Sequence, residues 1–415
     1  MLAGLKKTAL ILISIVVLYG PAIAAENQTN VDRLVQDNSA FAVDLYKKIC
    51  TGKGNIFFSP YSISVAFSMI YAGTEGNTSS QMGNVLKFSL KREDIYQAFE
   101  SLESRLKKIQ AADHVRLNSV NSLWPQKDYT LLPKYLDVTK KYYGISITPL
   151  DFRQAGKQAR EKINNWVALE TQEKIQDIIP PGVLDDSTRL VMANAVYFKG
   201  DWERKFDSDL TQETPFFLSK DNNVQSRMMT QTGYFNYGAN ELLQILQLPY
   251  VGNELSMLVL LPRELDGLKS LEDQLSISSL NNWKSKMKQN EVVIFLPKFK
   301  NLTSIGLKDT LVAMGMNDLF SPRNADLSGM AAFDPNNPLF LSEAIHKAFV
   351  EIGEEGTEAA AATAILGRVM GHESASERRP PIFRADHPFI FLIQENHTGS
   401  IVFIGRVSEP SAEVK

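Results

Sequence analysis

The stretch LVMANAVYFKG, residues 190–200, divides the chain. It is apolar and rich in residues that fit a pleated strand. Before it, apolar residues recur at helical spacing; after it, they come in short strand-like runs. Residues 31–50 carry Leu34, Phe41, Val43 and Leu45 on a helical pattern. Ser59-Pro60 opens a second helix, with serine at the cap and proline in the first turn. Ile63, Val65, Ala66, Met69 and Ile70 nearly fill that helix with apolar side chains, so it is expected to be buried. Residues 95–109 and 158–169 read as further helices, and Pro180-Pro181-Gly182 ends the helical part. Residues 245–250 and 255–262 read as strands around a turn, and 292–300 as one strand with a proline near its end. The last apolar runs form a hairpin around Asn396-His397-Thr398-Gly399. Helices first and strands later, without regular alternation, give an α+β class.

The 415 residues are 44% hydrophobic and 22% charged, enough apolar material for a large core. A formal charge of −3 gives no global attraction to nucleic acid or to anionic membrane. Cys50 is the single cysteine, so an internal disulfide is ruled out. It is expected to be a small buried hydrophobe at a helix end.

The first 25 residues read as a secretory signal peptide. Lys6 and Lys7 precede an apolar run from Leu10 to Leu18, and Gly20-Pro21 leads into Ala22-Ile23-Ala24-Ala25. The run is short for a membrane span. The expectation is a soluble exported protein, extracellular or, in a bacterium, periplasmic; by length alone residues 26–415 make two or three ordinary domains or one large composite domain.

Familiar enzyme signatures are missing. The five histidines, His114, His346, His372, His387 and His397, form no HExxH pair. There is no GxSxG elbow, phosphate loop or EF-hand loop. No catalytic residues, metal ligands or cofactor are assigned.

Residues 354–370, EEGTEAAAATAILGRVM, carry the most information about function. Alanine favours helix, and that reading stays open on pattern alone. Read with a period of two, one face holds Thr357, Ala359, Ala361, Thr363, Ile365, Gly367 and Val369, all uncharged. Both charges, Glu358 and Arg368, fall on the other face. A strand alternates its faces, so this segment suits a sheet with one small neutral side packed inward. Gly356 supplies a backbone hinge in front of it.

Six stretches in order then resemble the serpin family: residues 55–73, 194–206, 296–300, 325–330, 341–364 and 386–407. They span nearly all of the chain after the leader. The resemblance implies an α+β serpin fold of three β-sheets and eight or nine helices, with an exposed reactive-centre loop at about 354–385. It also implies a suicide inhibitor of serine proteases. The protease cleaves the loop, the upstream half inserts into the main sheet as a new strand, and the acyl-enzyme is trapped.

Serpins place the cut 17 residues from the hinge glutamate, which falls between Met370 and Gly371 here. The rival bond is Arg368–Val369. Met370 suits an apolar pocket and hence elastase-, chymotrypsin- or subtilisin-like targets; Arg368 suits a trypsin-like one. The hinge comprises Glu354, Gly356, Thr357, Glu358, Ala359, Ala360, Ala361, Ala362, Thr363 and Ala364. Ser59, Ser62, Asn194 and His346 match the polar cluster beneath the point where the sheet opens. Trp202, Lys298 and Glu354 match the place where insertion begins, with Lys298 and Glu354 as an ion pair. The implied partner is a serine protease held covalently, with cysteine proteases as a second target class. Neither nucleic acid nor membrane is expected as a partner. The protein is expected to be a monomer, with loop–sheet polymers as its off-pathway product. A carrier or chaperone on the same fold is the alternative. Lys87, Lys91 and Arg92 are too sparse for a polyanion stripe.

Overall fold

The structure is a computed structural model that describes residues 27–112, 114–145, 147–357 and 379–411. The chain opens with helix α1 over residues 27–49 and strand β1 (Ile56–Phe58). Helices α2 (Pro60–Tyr71), α3 (Gly76–Val85) and α4 (Arg92–Gln110) follow. Strand β2 (Val115–Pro125) leads to α5 (Pro133–Tyr143), α6 (Phe152–Glu170) and strand β3 (Leu190–Asp201). Strands β4 (Gln212–Ser219), β5 (Asn222–Ala239), β6 (Leu243–Pro249) and β7 (Leu255–Pro262) come next. Then come α7 (Leu268–Gln274), α8 (Ile277–Ser285), β8 (Lys288–Pro297), β9 (Phe299–Gly306) and α9 (Leu307–Ala313). The chain closes with β10 (Leu341–Ile352), the two-residue β11 (Gly356–Thr357), β12 (Ile382–Arg384), β13 (Phe389–Glu395) and β14 (Ile401–Val407).

Among the described residues the strands form two hydrogen-bonded sheets. The five-stranded sheet has the order β2-β3-β11-β10-β9, and β3 also pairs directly with β10 in parallel. The nine-stranded sheet runs β1-β14-β13-β7-β6-β5-β8-β12, with β4 on β5. Two of the three expected sheets are joined into this one by β5. Its 18 residues pair with β6 through Asn236–Ala239 and with β4 through the other end.

The apolar run at 190–200 is explained by burial on both faces. Leu190, Met192, Val196 and Phe198 enter the main core with α2. Val191, Ala193, Ala195 and Tyr197 pack against Ile163 and Val167 of α6 on the other side. A strand covered on both faces loses the apolar–polar alternation of a half-exposed one. Asn194 is the polar exception on the α2 face.

Ser59 caps α2 as its sequence suggests: its hydroxyl accepts the Ser62 N–H at 3.0 Å, and Pro60 takes the first turn. Two expectations need correction. Residues 292–300 are not one strand, because β8 ends at Pro297 and the chain crosses to the other sheet, where β9 begins at Phe299. Proline has no N–H to continue the ladder, so Lys298 lies at a crossover. Cys50 lies one residue past α1 and is only half-buried. The short helices α3, α5, α7, α8 and α9 and the strands β1, β2, β4, β5, β10 and β12 have no individual counterpart in the sequence reading.

Candidate functional site: the seam of the five-stranded sheet

Two groups of side chains lie along the β3–β10 seam, one at its middle and one at its end. At the middle, His346 of β10 stands opposite Asn194 of β3, and Asn194 stands opposite Asn121 of β2. The N-terminus of α2 sits above this row. The Ser59 backbone N–H donates to His346 Nε2 at 3.2 Å, which leaves the proton on Nδ1. That Nδ1–H donates to Asn194 Oδ1. The Asn194 amide donates to Ser62 Oγ at 2.6 Å and to Asn121 Oδ1. Ser62 Oγ also shares a hydrogen bond of 2.7 Å with Ser119 Oγ, which either hydroxyl can donate. Ser59 Oγ ties the group to the nine-stranded sheet by donating to the Val402 carbonyl at 2.7 Å. The structure thus brings Ser59, Ser62, Asn194 and His346 into one buried network and adds Asn121 and Ser119. Burial pushes the His346 imidazole down to about 3, so it is neutral in the closed sheet.

At the end of the seam the chain turns back on itself. Gly353 N–H donates to the Gly356 carbonyl at 2.7 Å, and Gly356 N–H returns to Gly353 at 3.2 Å. The turn sends β11 between the ends of β3 and β10, antiparallel to both: Thr357 pairs with Gly200 and with Ile352, and Gly356 with Asp201. Gly356 has φ +143°, and a Cβ there would lie 2.1 Å from the Gly200 carbonyl oxygen. Only glycine fits. Thr357 is fully buried and its hydroxyl lies 3.3 Å from Tyr250 OH.

Trp202 holds this turn on three sides. Its Nε1–H donates to the Gly353 carbonyl at 3.0 Å, its backbone N–H to Glu355 at 2.9 Å, and its ring stacks on Tyr250 at 4.6 Å. Lys298 Nζ lies 2.6 Å from Glu354 Oε2, and the Thr211 hydroxyl donates to Oε1 at 2.9 Å. Burial works to raise the Glu354 carboxyl, but the Lys298, backbone and Thr211 hydrogen bonds outweigh it and hold the group below its usual range. Lys205 pairs with Glu355 beside it. Trp202, Lys298 and Glu354 are thus neighbours, with Thr211, Tyr250 and Lys205 as further members.

The remaining expected site residues, Glu358, Ala359, Ala360, Ala361, Ala362, Thr363, Ala364, Arg368, Val369, Met370 and Gly371, lie outside the described residues. Among the described residues no cluster of metal-ligating side chains occurs, and no helix is long and apolar enough to cross a membrane.

A family profile described as serpin (serine protease inhibitor) matches residues 36–410. The chain belongs to the serpin family. It is a protease inhibitor rather than an enzyme. Among its relatives, the leukocyte elastase inhibitor of Xenopus laevis is 43% identical over 378 residues, covering 89% of this chain and 97% of that protein. The leukocyte elastase inhibitor of Homo sapiens is 40% identical, covering 91% of this chain and 100% of that protein. Among solved structures, uncleaved ovalbumin superposes with a TM-score of 0.81 at 31% identity, covering 90% of this chain and 99% of that one. In this serpin, as described, β3 and β10 remain paired from Leu190–Leu341 to Phe198–Val350 and are parted only at the end that β11 enters.

Proposed function

We propose that this serpin traps an elastase- or chymotrypsin-like serine protease covalently, by inserting its cleaved loop between β3 and β10. The observation that supports this reading is the position of Gly356–Thr357, already paired with β3 in antiparallel register. Continuing that register by six residues on each strand sets Thr363 opposite Asn194. Continuing it to the start of β3 sets Gly367 opposite Leu190. Thr357 faces Tyr250 and the core, so its odd-numbered successors Ala359, Ala361, Thr363, Ile365 and Gly367 would share that inward face. All of these are uncharged. Glu358 and Arg368 would point the other way. Thr363 would enter the polar cluster beside Asn194, in the place His346 leaves when the strands part.

A strand opposite the 12 residues of β3 gains on the order of 10 backbone hydrogen bonds, at ~1 kcal/mol net each. Insertion to Gly367 stops three residues short of Met370. The acylated protease would therefore be drawn to the far end of the sheet. Met370–Gly371 is the proposed scissile bond. The relatives named for elastase inhibition favour the same apolar specificity. A catalytic displacement of about 1 Å slows deacylation by roughly a hundredfold, long enough to trap the enzyme.

We also propose export with removal of residues 1–25, leaving one domain from residue 26 onward. Lys6 and Lys7, the apolar run and the alanine exit support this. The protease would then be met outside the cell or in a periplasm. Sequencing the amino terminus of secreted protein tests this; an intact Met1 contradicts it.

The test of trapping is a denaturing gel of the protein after incubation with pancreatic elastase. A boil-stable band at the summed mass, with a peptide beginning at Gly371, is expected. A peptide beginning at Val369 would move the bond to Arg368 and the target to a trypsin-like enzyme. Cleavage without a covalent band by elastase, trypsin and subtilisin alike would favour a carrier.

A further inference from the structure

Four Asn-x-Ser/Thr sequons occur in the chain, at Asn27, Asn77, Asn301 and Asn396. A glycosylating export pathway meets all four alike in the unfolded chain, and the fold decides which can keep a sugar. Two conditions follow from the chemistry. Attachment replaces one of the two amide hydrogens, so the folded side chain must have one to spare. The sugar is large and polar, so it must reach water.

Asn301 fails the second condition. It lies on β9 opposite Val350 of β10 and is only 4% exposed. Its amide nitrogen is sealed from solvent and has no hydrogen-bond partner among the described residues. Its Oδ1 accepts the Thr303 hydroxyl at 3.0 Å, and Thr303 Oγ1 accepts the Phe57 N–H of β1 at 3.0 Å. Both ends of that sequon are locked inside the molecule. Asn396 fails the first condition. Its amide donates to the Asn253 carbonyl and to Ser256 Oγ, each at 2.7 Å, which spends both hydrogens. Asn77 meets both conditions. It stands exposed in the first turn of α3 and gives one amide hydrogen to Asp318 Oδ2. Asn27, at the exposed start of α1, likewise gives only one, to Ser101 Oγ at 3.3 Å.

We propose that Asn77 is an N-glycan acceptor, with Asn27 as a second, and that Asn301 and Asn396 are bare in the folded protein. The donor is an oligosaccharide linked to a lipid pyrophosphate. The sugar C1–oxygen bond to the pyrophosphate breaks, a C1–Nδ2 bond forms, and the amide hydrogen leaves as a proton. A sugar on Asn301 would keep β9 off β10, so chains modified there do not complete the five-stranded sheet. The inference rests on the export proposed above.

The test is expression of the full chain, with its own leader, in cultured human cells. The secreted protein is treated with peptide N-glycosidase in heavy-oxygen water, which turns each glycosylated asparagine into a labelled aspartate. Peptide masses should show label at Asn77 and Asn27 and none at Asn301 or Asn396. Asn77→Gln and Ser79→Ala should each abolish the Asn77 label. Ser79→Ala keeps the Asn77–Asp318 bond, so it decides the site even if Asn77→Gln misfolds. Label missing from Asn77, or present at Asn301 or Asn396, overturns the assignment. If nothing is secreted, the export reading fails instead, and residues 26–415 behind a proven secretory leader still decide the acceptors.

Discussion

His346 on β10 donates its Nδ1 proton to Asn194 on β3, across the seam where the five-stranded sheet must part. Both side chains are fully buried. Separating them leaves polar groups without water to replace the lost partner, at about 1–3 kcal/mol for each group stranded. The bond therefore guards the barrier to insertion as well as the stability of the closed sheet. His346→Leu should accelerate heat-induced polymerisation by roughly tenfold. Native-gel time courses would measure this, and an unchanged rate would remove His346 from the barrier.

The same residue predicts a pH dependence. Burial holds His346 at about 3, below the 6.5 of a free imidazole. The unfolded chain therefore takes up the proton first. The closed state keeps its full stability above about pH 6.5 and loses it as pH falls toward 3, by up to about 1.4 kcal/mol per unit. His346→Gln lacks this term. Its melting temperature should fall less steeply than that of the wild type between pH 6.5 and 4, and parallel curves would contradict the assignment.

Glu354 carries the same sign, in a lower pH window. Its folded carboxyl titrates below the ordinary 4.5, so its contribution is present above that value and lost as pH falls through the folded pKa. Lys298→Met removes the main partner of a half-buried pair worth about 1 kcal/mol after screening. Premature insertion at neutral pH should quicken roughly fivefold, read as loss of inhibitory activity during storage at 37 °C as ~ the working temperature. Equal half-lives would contradict a holding role for the pair.

Gly356→Ala places a methyl group 2.1 Å from the Gly200 carbonyl oxygen. The hinge cannot then sit between β3 and β10. The variant should be cleaved by elastase at a normal rate yet form little covalent complex, raising the stoichiometry of inhibition severalfold. A stoichiometry near that of the wild type would show that the hinge enters elsewhere.

Parts of this site were legible because their signals are local. Ser59-Pro60 announces a capped helix, and the neutral face of residues 357–369 follows from alternation alone. Asn194 was a clue as well, since a lone polar residue in a buried apolar run must be hydrogen-bonded. Its partner Asn121 lies 73 positions away. The strand that carries Asn121, VRLNSVNSLWP, has a mixed burial pattern that masks its period. Thr211 and Tyr250 were missed for a related reason: each reaches the hinge from a segment that no short motif ties to it. Pro297 was read as a blemish within one strand. It is instead the end of β8, and the crossover it forces is what brings Lys298 to Glu354.

The central claim is that cleavage lets residues 356–367 become a middle strand of the five-stranded sheet. The most direct measurement is the melting temperature of the intact protein against the protein cut in its loop by a metalloprotease, which forms no acyl-enzyme and is therefore not trapped. On the order of 10 kcal/mol of new ladder bonds predicts a rise of at least about 10 °C on cleavage. An unchanged or lower melting temperature would mean that the cut loop stays outside the sheet and would contradict the mechanism.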